Sequence, residues 1–466
     1  KPVGPLFKDA KFGGLELRDG ELQLVDNQGS EPRSFTVGKF QLQITPVVEN
    51  STSQWTLQAA ATSREFESIR LDGQLDLKSR QWELSGTVRS LEATTLLVAL
   101  VMEQLDTQPL HESTRLSCEL NGQFQLAGSL GPSPSDTLPG QPPLAAAKIR
   151  GQCEAQLTNG QLQDDRLPYS INGISAHLAW NGNGLRIDDI TATSGTARLS
   201  GYYQRLRNND APSESIHLLV KQLAIDRHFV ARLPYSIQRS LLTFAPVGTI
   251  DLNWSMETGA QGEDRQLAIT LQDVDFRYAQ FPYPLSAARG TIRLHNGILT
   301  LENCRAHAHG ESLELRARIE DPFEHPRGWL KLSASGPIPL DDELLAALKP
   351  RGQQFMRSLQ PTGQILLEEA QFQFDGDRVA ADRQLTIQVV GGTIRYQSFP
   401  YPISRVEGRF QMVNNSWSFQ DVTGINGHTF LRCEGSVEIG SEGSTLAIDF
   451  WASDMSLDDD LRDALG

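Results

Sequence analysis

The chain has 466 residues and a formal net charge of −15 at pH 7. That balance speaks against nucleic acid as a partner, because phosphate binding takes a basic surface, and against lying flat on an anionic leaflet. The most apolar stretch, Thr95 to Met102, is too short for a membrane-spanning helix. The four cysteines, Cys118, Cys153, Cys304 and Cys433, are too few for a disulfide-dense scaffold, and no CxxC pair points to zinc.

The chain opens on Lys1 with no signal-peptide pattern, so an anchor or signal is expected upstream. The segment from Gly14 to Leu105 reads as a diverged first repeat, 1–110. It holds a hairpin-like stretch at Leu15 to Leu24, then strands, then a short helix near Leu91 to Leu105. A second repeat, 111–247, carries a proline-rich insertion at 129–143, read as a loose hairpin loop rather than a linker.

Three segments after that align: Leu167 to Tyr203, Phe281 to Ile319 and Phe399 to Ile439. Their prolines, Pro168, Pro282 and Pro400, are spaced by 114 and 118 residues. A second landmark keeps the period: Ile225-Asp226, Leu340-Asp341 and Leu457-Asp458. Two landmarks with one period define a repeat. The third repeat is 248–362 and the fourth is 363–466, which stops inside its helix, as in a fragment or a trimmed cap.

Within a repeat, apolar and polar residues alternate at period two, the mark of a half-buried strand. Ile292 and Leu294 alternate with Arg293 and His295, Asn296-Gly297 turns, and Leu299 and Leu301 resume the apolar face. About six strands per repeat are predicted, roughly 20 or more in all. One short helical segment interrupts them: Asp341 and Asp342 suit its start, Leu344, Leu345 and Leu348 form a stripe, Lys349-Pro350 breaks it, and Phe355, Met356 and Leu359 form a second stripe. The FPYP boxes read as corners that end one strand before the next begins.

No catalytic constellation emerges. Ser194-Gly195-Thr196 lacks the setting of a nucleophile elbow. Acidic groups such as Asp341-Asp342-Glu343 and Asp458-Asp459-Asp460 sit at helix starts, where capping explains them better than acid–base chemistry. His307 and His309, read as sharing one face of a strand near Glu311, are solvated strand histidines in preference to a metal site. No enzyme activity, cofactor or metal is expected. Cys153 falls on the strand equivalent to Leu267, with Cys118 on the preceding strand, so the two form a candidate disulfide across the hairpin.

The apolar face needs cover. Physics alone leaves two solutions open: a sandwich or closed-core solenoid, and an open trough available to an apolar ligand. At this point a resemblance enters. The hairpins, the Leu/Ile-Asp helix starts, and the phrases Leu71-Asp72-Gly73-Gln74-Leu75-Asp76-Leu77 and Trp82-Glu83-Leu84-Ser85-Gly86 resemble the periplasmic AsmA-like and TamB-like proteins, members of the bridge-like lipid transfer superfamily built from repeating β-grooves. The likeness extends over nearly the whole chain. It implies an all-β fold, an elongated antiparallel sheet curled into an open groove (a β-taco). It also implies a location in the cell envelope of a diderm bacterium, with an inner-membrane anchor in the full-length protein.

The expected function is then a lipid-binding conduit that moves phospholipids between inner and outer membranes. Acyl chains would touch Leu294, Leu299, Leu301, Leu313, Leu315, Leu330, Leu332, Ile394, Phe410, Met412, Trp417 and Phe419. The competing expectations are a scaffold that helps outer-membrane proteins assemble by strand pairing, and a closed structural solenoid.

Overall fold

Alternation at period two becomes strand almost throughout. In the computed structural model 73% of the chain is strand and 10% is helix. The structure describes residues 13–26, 33–47, 53–95, 111–129, 150–207, 212–233, 235–260, 262–376, 380–414, 416–439, 444–456 and 458–465. Its 24 strands form one open antiparallel sheet, the all-β repeating architecture expected. The chain divides into two compact units: Lys1–Leu218 with Met256–Glu263, and Leu219–Ser255 with Asp264–Gly466.

The first unit begins with β1 (Leu15–Asp26), β2 (Arg33–Pro46), β3 (Gln54–Thr62), β4 (Ser68–Asp76) and β5 (Gln81–Thr94). Then come β6 (Arg115–Ser129), β7 (Arg150–Gln163), β8 (Ile171–Asn181), β9 (Gly184–Ser194) and β10 (Ala197–Arg207). From β1 to β10 each strand pairs with the next. Between β3 and β4, Phe66 is almost fully buried with Val37 and Ala61, against Phe40, Ile69 and Leu91.

Two expectations fail in this unit, and a third lies mostly outside the described residues. Leu15 to Leu24 is not a hairpin but part of the single strand β1, with a bulge where a turn was expected. Asp19 takes a φ of 51° there, and the register to β2 shifts between Leu17 and Gly20. Leu91–Thr94 is the end of β5 and Thr95 is helical; residues 96–110, the rest of the expected helix, lie outside the described ones, as does 130–149, which holds most of the proline-rich insertion. Cys118 and Cys153 do not face each other either. The β6–β7 register sets Phe124 opposite Cys153, leaving Cys118 six residues away along β6, roughly 20 Å at the rise of a strand. All four thiols are free.

The second unit takes the end of β11 (Pro212–Ile225), then α1 (Arg227–Ala231), α2 (Tyr235–Phe244), β12 (Val247–Gly259) and β13 (Gly262–Tyr278). Next are β14 (Phe281–His295), β15 (Ile298–Ala308), β16 (Glu311–Glu320), β17 (Arg327–Ala334), the short β18 (Ile338–Pro339), α3 (Asp342–Ala347) and α4 (Pro350–Leu359). The last set is β19 (Thr362–Asp375), β20 (Asp382–Tyr396), β21 (Phe399–Val413), β22 (Ser416–Asn426), β23 (Thr429–Ile439), β24 (Ser444–Ser453) and α5 (Asp459–Leu465). The helical segment is thus a pair, split as expected at Lys349-Pro350 with Pro350 in the first turn.

The repeat has a backbone signature. Asn159, Asp273 and Gly391 take left-handed φ values on β7, β13 and β20; Gly173, Ala287 and Arg405 do so on β8, β14 and β21; Asp189, Asn303 and Asp421 do so on β9, β15 and β22. The register shifts at each of these places. These are β-bulges: one extra residue enters a strand, bends it and sharpens its twist. Asn, Asp and Gly tolerate the left-handed conformation best. Where Ala287 must adopt it, its N–H donates to Asp275 Oδ1 at 2.9 Å. Ser90 is a bulge of the same kind, and Gln222 shares its left-handed φ; each N–H donates at 2.8 Å, to Asn121 Oδ1 and Asp251 Oδ1.

The helix starts repeat as well. Asp226, Asp341 and Asp458 each accept a hydrogen bond from the backbone N–H three residues on, at 2.7, 2.8 and 3.0 Å. Leu344 and Ala347 of α3 bury against Tyr283, Ala308, Leu313 and Ile338. Leu461 and Ala464 of α5 bury against Tyr401 and Leu431. The FPYP boxes therefore do more than make corners: each opens a strand, and its tyrosine is the floor on which a helix sits. The second stripe, on α4, finds no such floor; α4 has no buried residue, and Phe355 is 57% exposed.

Alkylation of the denatured, unreduced protein is expected to modify all four cysteines by intact mass; fewer modified thiols would mean a disulfide. In the native protein burial raises the pKa of every one of these thiols, so Cys118 and Cys304, the two buried ones, are expected to react far more slowly than a free thiol. Asp341→Ala is expected to cost about 1 kcal/mol, read as faster hydrogen exchange in α3.

Candidate functional site

The bulges decide which side chains share a face. An extra residue reverses the alternation, so apolar positions change from odd to even where a bulge intervenes. On β15, Leu299 and Leu301 precede the bulge at Asn303, and Cys304, Ala306 and Ala308 follow it. All five share one face: Leu301 pairs with Ala317, Cys304 with Leu315 and Ala306 with Leu313. On β21 the change runs the other way, from Tyr401 and Ile403 to Val406, Phe410 and Met412 across Arg405.

The registers then join these positions into rows across the second unit. Ile292, Leu301, Ala317, Leu330 and Phe372 lie opposite one another in succession. Leu315, Leu332, Ala370, Leu385, Met412, Trp417 and Val437 form another row. Ile387, Phe410 and Phe419 form a third, with the two phenylalanine rings 5.7 Å apart. The opposite face carries the charges: Arg293 with Glu302 at 2.7 Å, Arg316 with Glu314 at 2.8 Å, and Lys331 with Glu369 at 3.0 Å. Exposed pairs of this kind add little stability, but they keep that face wet.

Of the twelve expected contact residues, Leu294, Leu299, Leu301, Leu315, Leu330, Leu332, Phe410, Met412, Trp417 and Phe419 lie on this face and are half-buried. Ile394 is also half-buried, but it lies beyond the bulge at Gly391, opposite Ile403 near the helical margin. It lines a shallow cavity there with Pro402, Asn426 and Gly427. Leu313 has a different environment. It is 5% exposed because α3 packs over it, so protein covers it.

Alternation alone did not reveal Arg383. It shares the parity of Leu385 and Ile387 on β20 and lies opposite Phe372. Its Nε is buried without a hydrogen-bond partner among the described residues. The clue in the sequence was the repeat itself: Arg265 occupies the equivalent place one repeat earlier, and each backbone N–H donates at 2.9 Å to an asparagine side chain, Asn296 or Asn414.

The histidines do not share a strand face. His309 sits in the turn after β15 with φ 49°. Its Nε2 lies 3.0 Å from Asp341 Oδ2 and 3.5 Å from Glu343 Oε2. These three groups are close enough to hold a cation, and the Tyr283 ring is 6.0 Å away. The Tyr283 phenol is pushed up to about 12, by burial first and then by the charges of Asp341 and Glu343. One repeat later, beside the turn at Gly427-His428, it is Asn426 Nδ2 that donates to Asp460 Oδ2, at 3.3 Å. The shared role is to tie a turn to a helix start, and a cation is not needed for it.

Comparison with known proteins adds no relative: no family model, no curated protein and no solved structure matches the chain.

The crease is testable through Gly290, which faces the Asn303 bulge. A Cβ there would lie 2.5 Å from Cys304 Cα, at a φ of 135°. Gly290→Ala is expected to destabilise by about 1–3 kcal/mol, measured as a lower denaturation midpoint, with a lower yield of folded protein.

Proposed function

We propose that the chain is a non-enzymatic conduit for phospholipids, of the AsmA-like kind, working in the periplasm between inner and outer membranes. The observation that carries this reading is the state of the apolar rows in the second unit. Leu301, Leu315, Leu330, Leu332 and Met412 are large, aligned and only half-buried. A sealed core would bury such side chains almost completely. Monomeric soluble proteins rarely leave contiguous apolar surface of this kind without an occupant. Acyl chains suit it: they are apolar, deformable and need no hydrogen bonds. Headgroups would stay in water at the margin, within reach of Arg383.

One observation favours the rival reading, a scaffold that pairs with client strands. On β24, Ala447, Ile448, Asp449, Phe450 and Trp451 are exposed on both faces. An exposed strand of this composition is a template for pairing. Crosslinking from β24 to an outer-membrane protein, with no lipid in the purified protein, would favour the scaffold.

Leu301→Asp and Leu315→Asp separate the conduit from a closed core. If lipid tails touch this face, the new carboxylate finds water when the face is empty. The melt is then near normal and co-purified phospholipid, measured by mass spectrometry, is lost. If the face is sealed, an unpaired buried carboxylate costs several kcal/mol and the melt collapses. A collapsed melt, or unchanged lipid, sinks the conduit.

A further inference from the structure

Three segments of the second unit bring polar side chains together at the start of α3. His309 comes from the turn after β15, Asp341 and Glu343 from the helix start, and Tyr283 from β14 beneath them. Local constraints place them. The turn holds His309 at a left-handed φ of 49°, and the cap fixes Asp341, whose Oδ1 accepts from the Leu344 N–H at 2.8 Å. Its Oδ2 is left to face His309 Nε2 at 3.0 Å, and Glu343 Oε2 lies 3.5 Å from the same nitrogen. Among the described residues this is the one group of three histidine, cysteine or acidic side chains whose ligand atoms lie so close together.

As a set of hydrogen bonds the group is incomplete. His309 Nε2 carries at most one proton and cannot serve both carboxylates well, and two carboxylates at this distance repel each other. Arg277 offers little relief, because its Nη2 stands 3.9 Å from the other oxygen of Glu343, Oε1. Beneath them Tyr283 is 4% exposed, and its hydroxyl is buried without a hydrogen-bond partner among the described residues. Buried hydroxyls are seldom left so. The Tyr283 ring lies 6.0 Å from that of His309, and the charges of Asp341 and Glu343 both act on the phenol, so the hydroxyl is directed at the cluster.

We propose that His309, Asp341 and Glu343 bind a zinc ion, with a water in the fourth position hydrogen-bonded to the Tyr283 hydroxyl. The donor set selects the ion: an imidazole beside carboxylates suits zinc, whereas magnesium and calcium prefer oxygen alone. Spacing agrees. Zinc bonds of about 2.0–2.2 Å in a tetrahedron set the ligand atoms about 3.3–3.6 Å apart, close to the 3.0 and 3.5 Å found here. Two carboxylate charges outweigh the roughly half charge of a helix start. The ligand side chains of His309, Asp341 and Glu343 are 38%, 31% and 46% exposed, so an ion reaches them from solvent without opening the fold.

The tie between turn and helix start stands without the ion; zinc strengthens it and holds α3 over Leu313. The other repeats share the tie but not the ligands. The fourth sets its histidine one place later in the turn, at His428, and meets Asp460 with the amide of Asn426. The second has His228 in the place of Glu343. The site therefore belongs to the third repeat alone. It does not rest on the conduit, since the ion neither needs nor supplies lipid.

The test is calorimetric titration of the full chain with zinc after a chelator has stripped it of metal. One zinc per chain is expected, with a higher melt and slower hydrogen exchange in α3, which the native chain shows without any variant. Cobalt in place of zinc is expected to give the visible absorption of a tetrahedral ion. His309→Asn, which puts a residue tolerant of the left-handed turn there, Glu343→Gln and Tyr283→Phe are each expected to weaken binding about tenfold or more. Tyr401→Phe, and His295→Asn at the exposed pair of His295 with Asp264, are expected to leave it intact. The proposal is overturned if the stripped native chain takes up no zinc, if zinc leaves exchange in α3 unchanged, or if any of the three site variants binds like the native chain. An equal loss in His295→Asn would show an adventitious ion only and overturns it as well.

Discussion

One extra residue per strand, held in the left-handed conformation, is the constraint on which the rest of the structure depends. A plain antiparallel ladder would send Cys304, Ala306 and Ala308 to the face opposite Leu299 and Leu301. The bulge at Asn303 returns them to the same face. Because Ala287 and Arg289 on one side and Leu315 on the other meet the same irregularity, the bend passes from strand to strand instead of ending at one. The cost in lost ladder bonds is met locally: Asp275 takes the N–H of Ala287, and Asp273 holds Arg289 through two hydrogen bonds of 2.6 and 3.0 Å. Small side chains follow from the bend. Where strands curl, the concave side has no room, and Ala288, Ala306, Ala308 and Val406 are the residues found there, 0–2% exposed.

The bend also divides the apolar face in two. Toward the helical edge, α3 closes over Tyr283, Ala308 and Leu313, and α5 over Tyr401 and Leu431. The Tyr283 and Tyr401 rings pack under the helices, and the hydroxyl of each is buried without a hydrogen-bond partner among the described residues. Away from that edge no helix reaches. Leu315 lies only two residues beyond Leu313 on the same strand, yet it is half-exposed. Stability is thus concentrated at the packed margin, and the middle of the sheet rests on its backbone ladder.

Local signals carried most of the fold into view from sequence. Asn296-Gly297 adopts positive φ at both residues, as a tight hairpin demands, and the aspartates at 226, 341 and 458 cap as their place before an apolar stripe implies. What failed was non-local or looked like noise. The change of parity in Leu-Thr-Leu-Glu-Asn-Cys-Arg-Ala resembles imperfect alternation, and Asp19-Gly20 has turn composition while making a bulge. The register of β6 on β7 is set across the long 130–149 connection, so a pairing of Cys118 with Cys153 was not decidable from spacing. The cover over Leu313 comes from Leu344 and Ala347, some thirty residues away in sequence.

The two edges bear on how an open apolar face stays soluble. Exposed apolar surface invites association, and the usual remedy is charge placed where another chain would approach. The far edge of the second unit has it in Asp321, Glu324 and Asp375, and the back of the sheet has it in its Arg/Glu pairs. The helical edge carries acids too, at the helix starts Asp341-Asp342-Glu343 and Asp458-Asp459-Asp460, and these stand beside exposed aromatic side chains such as Phe355.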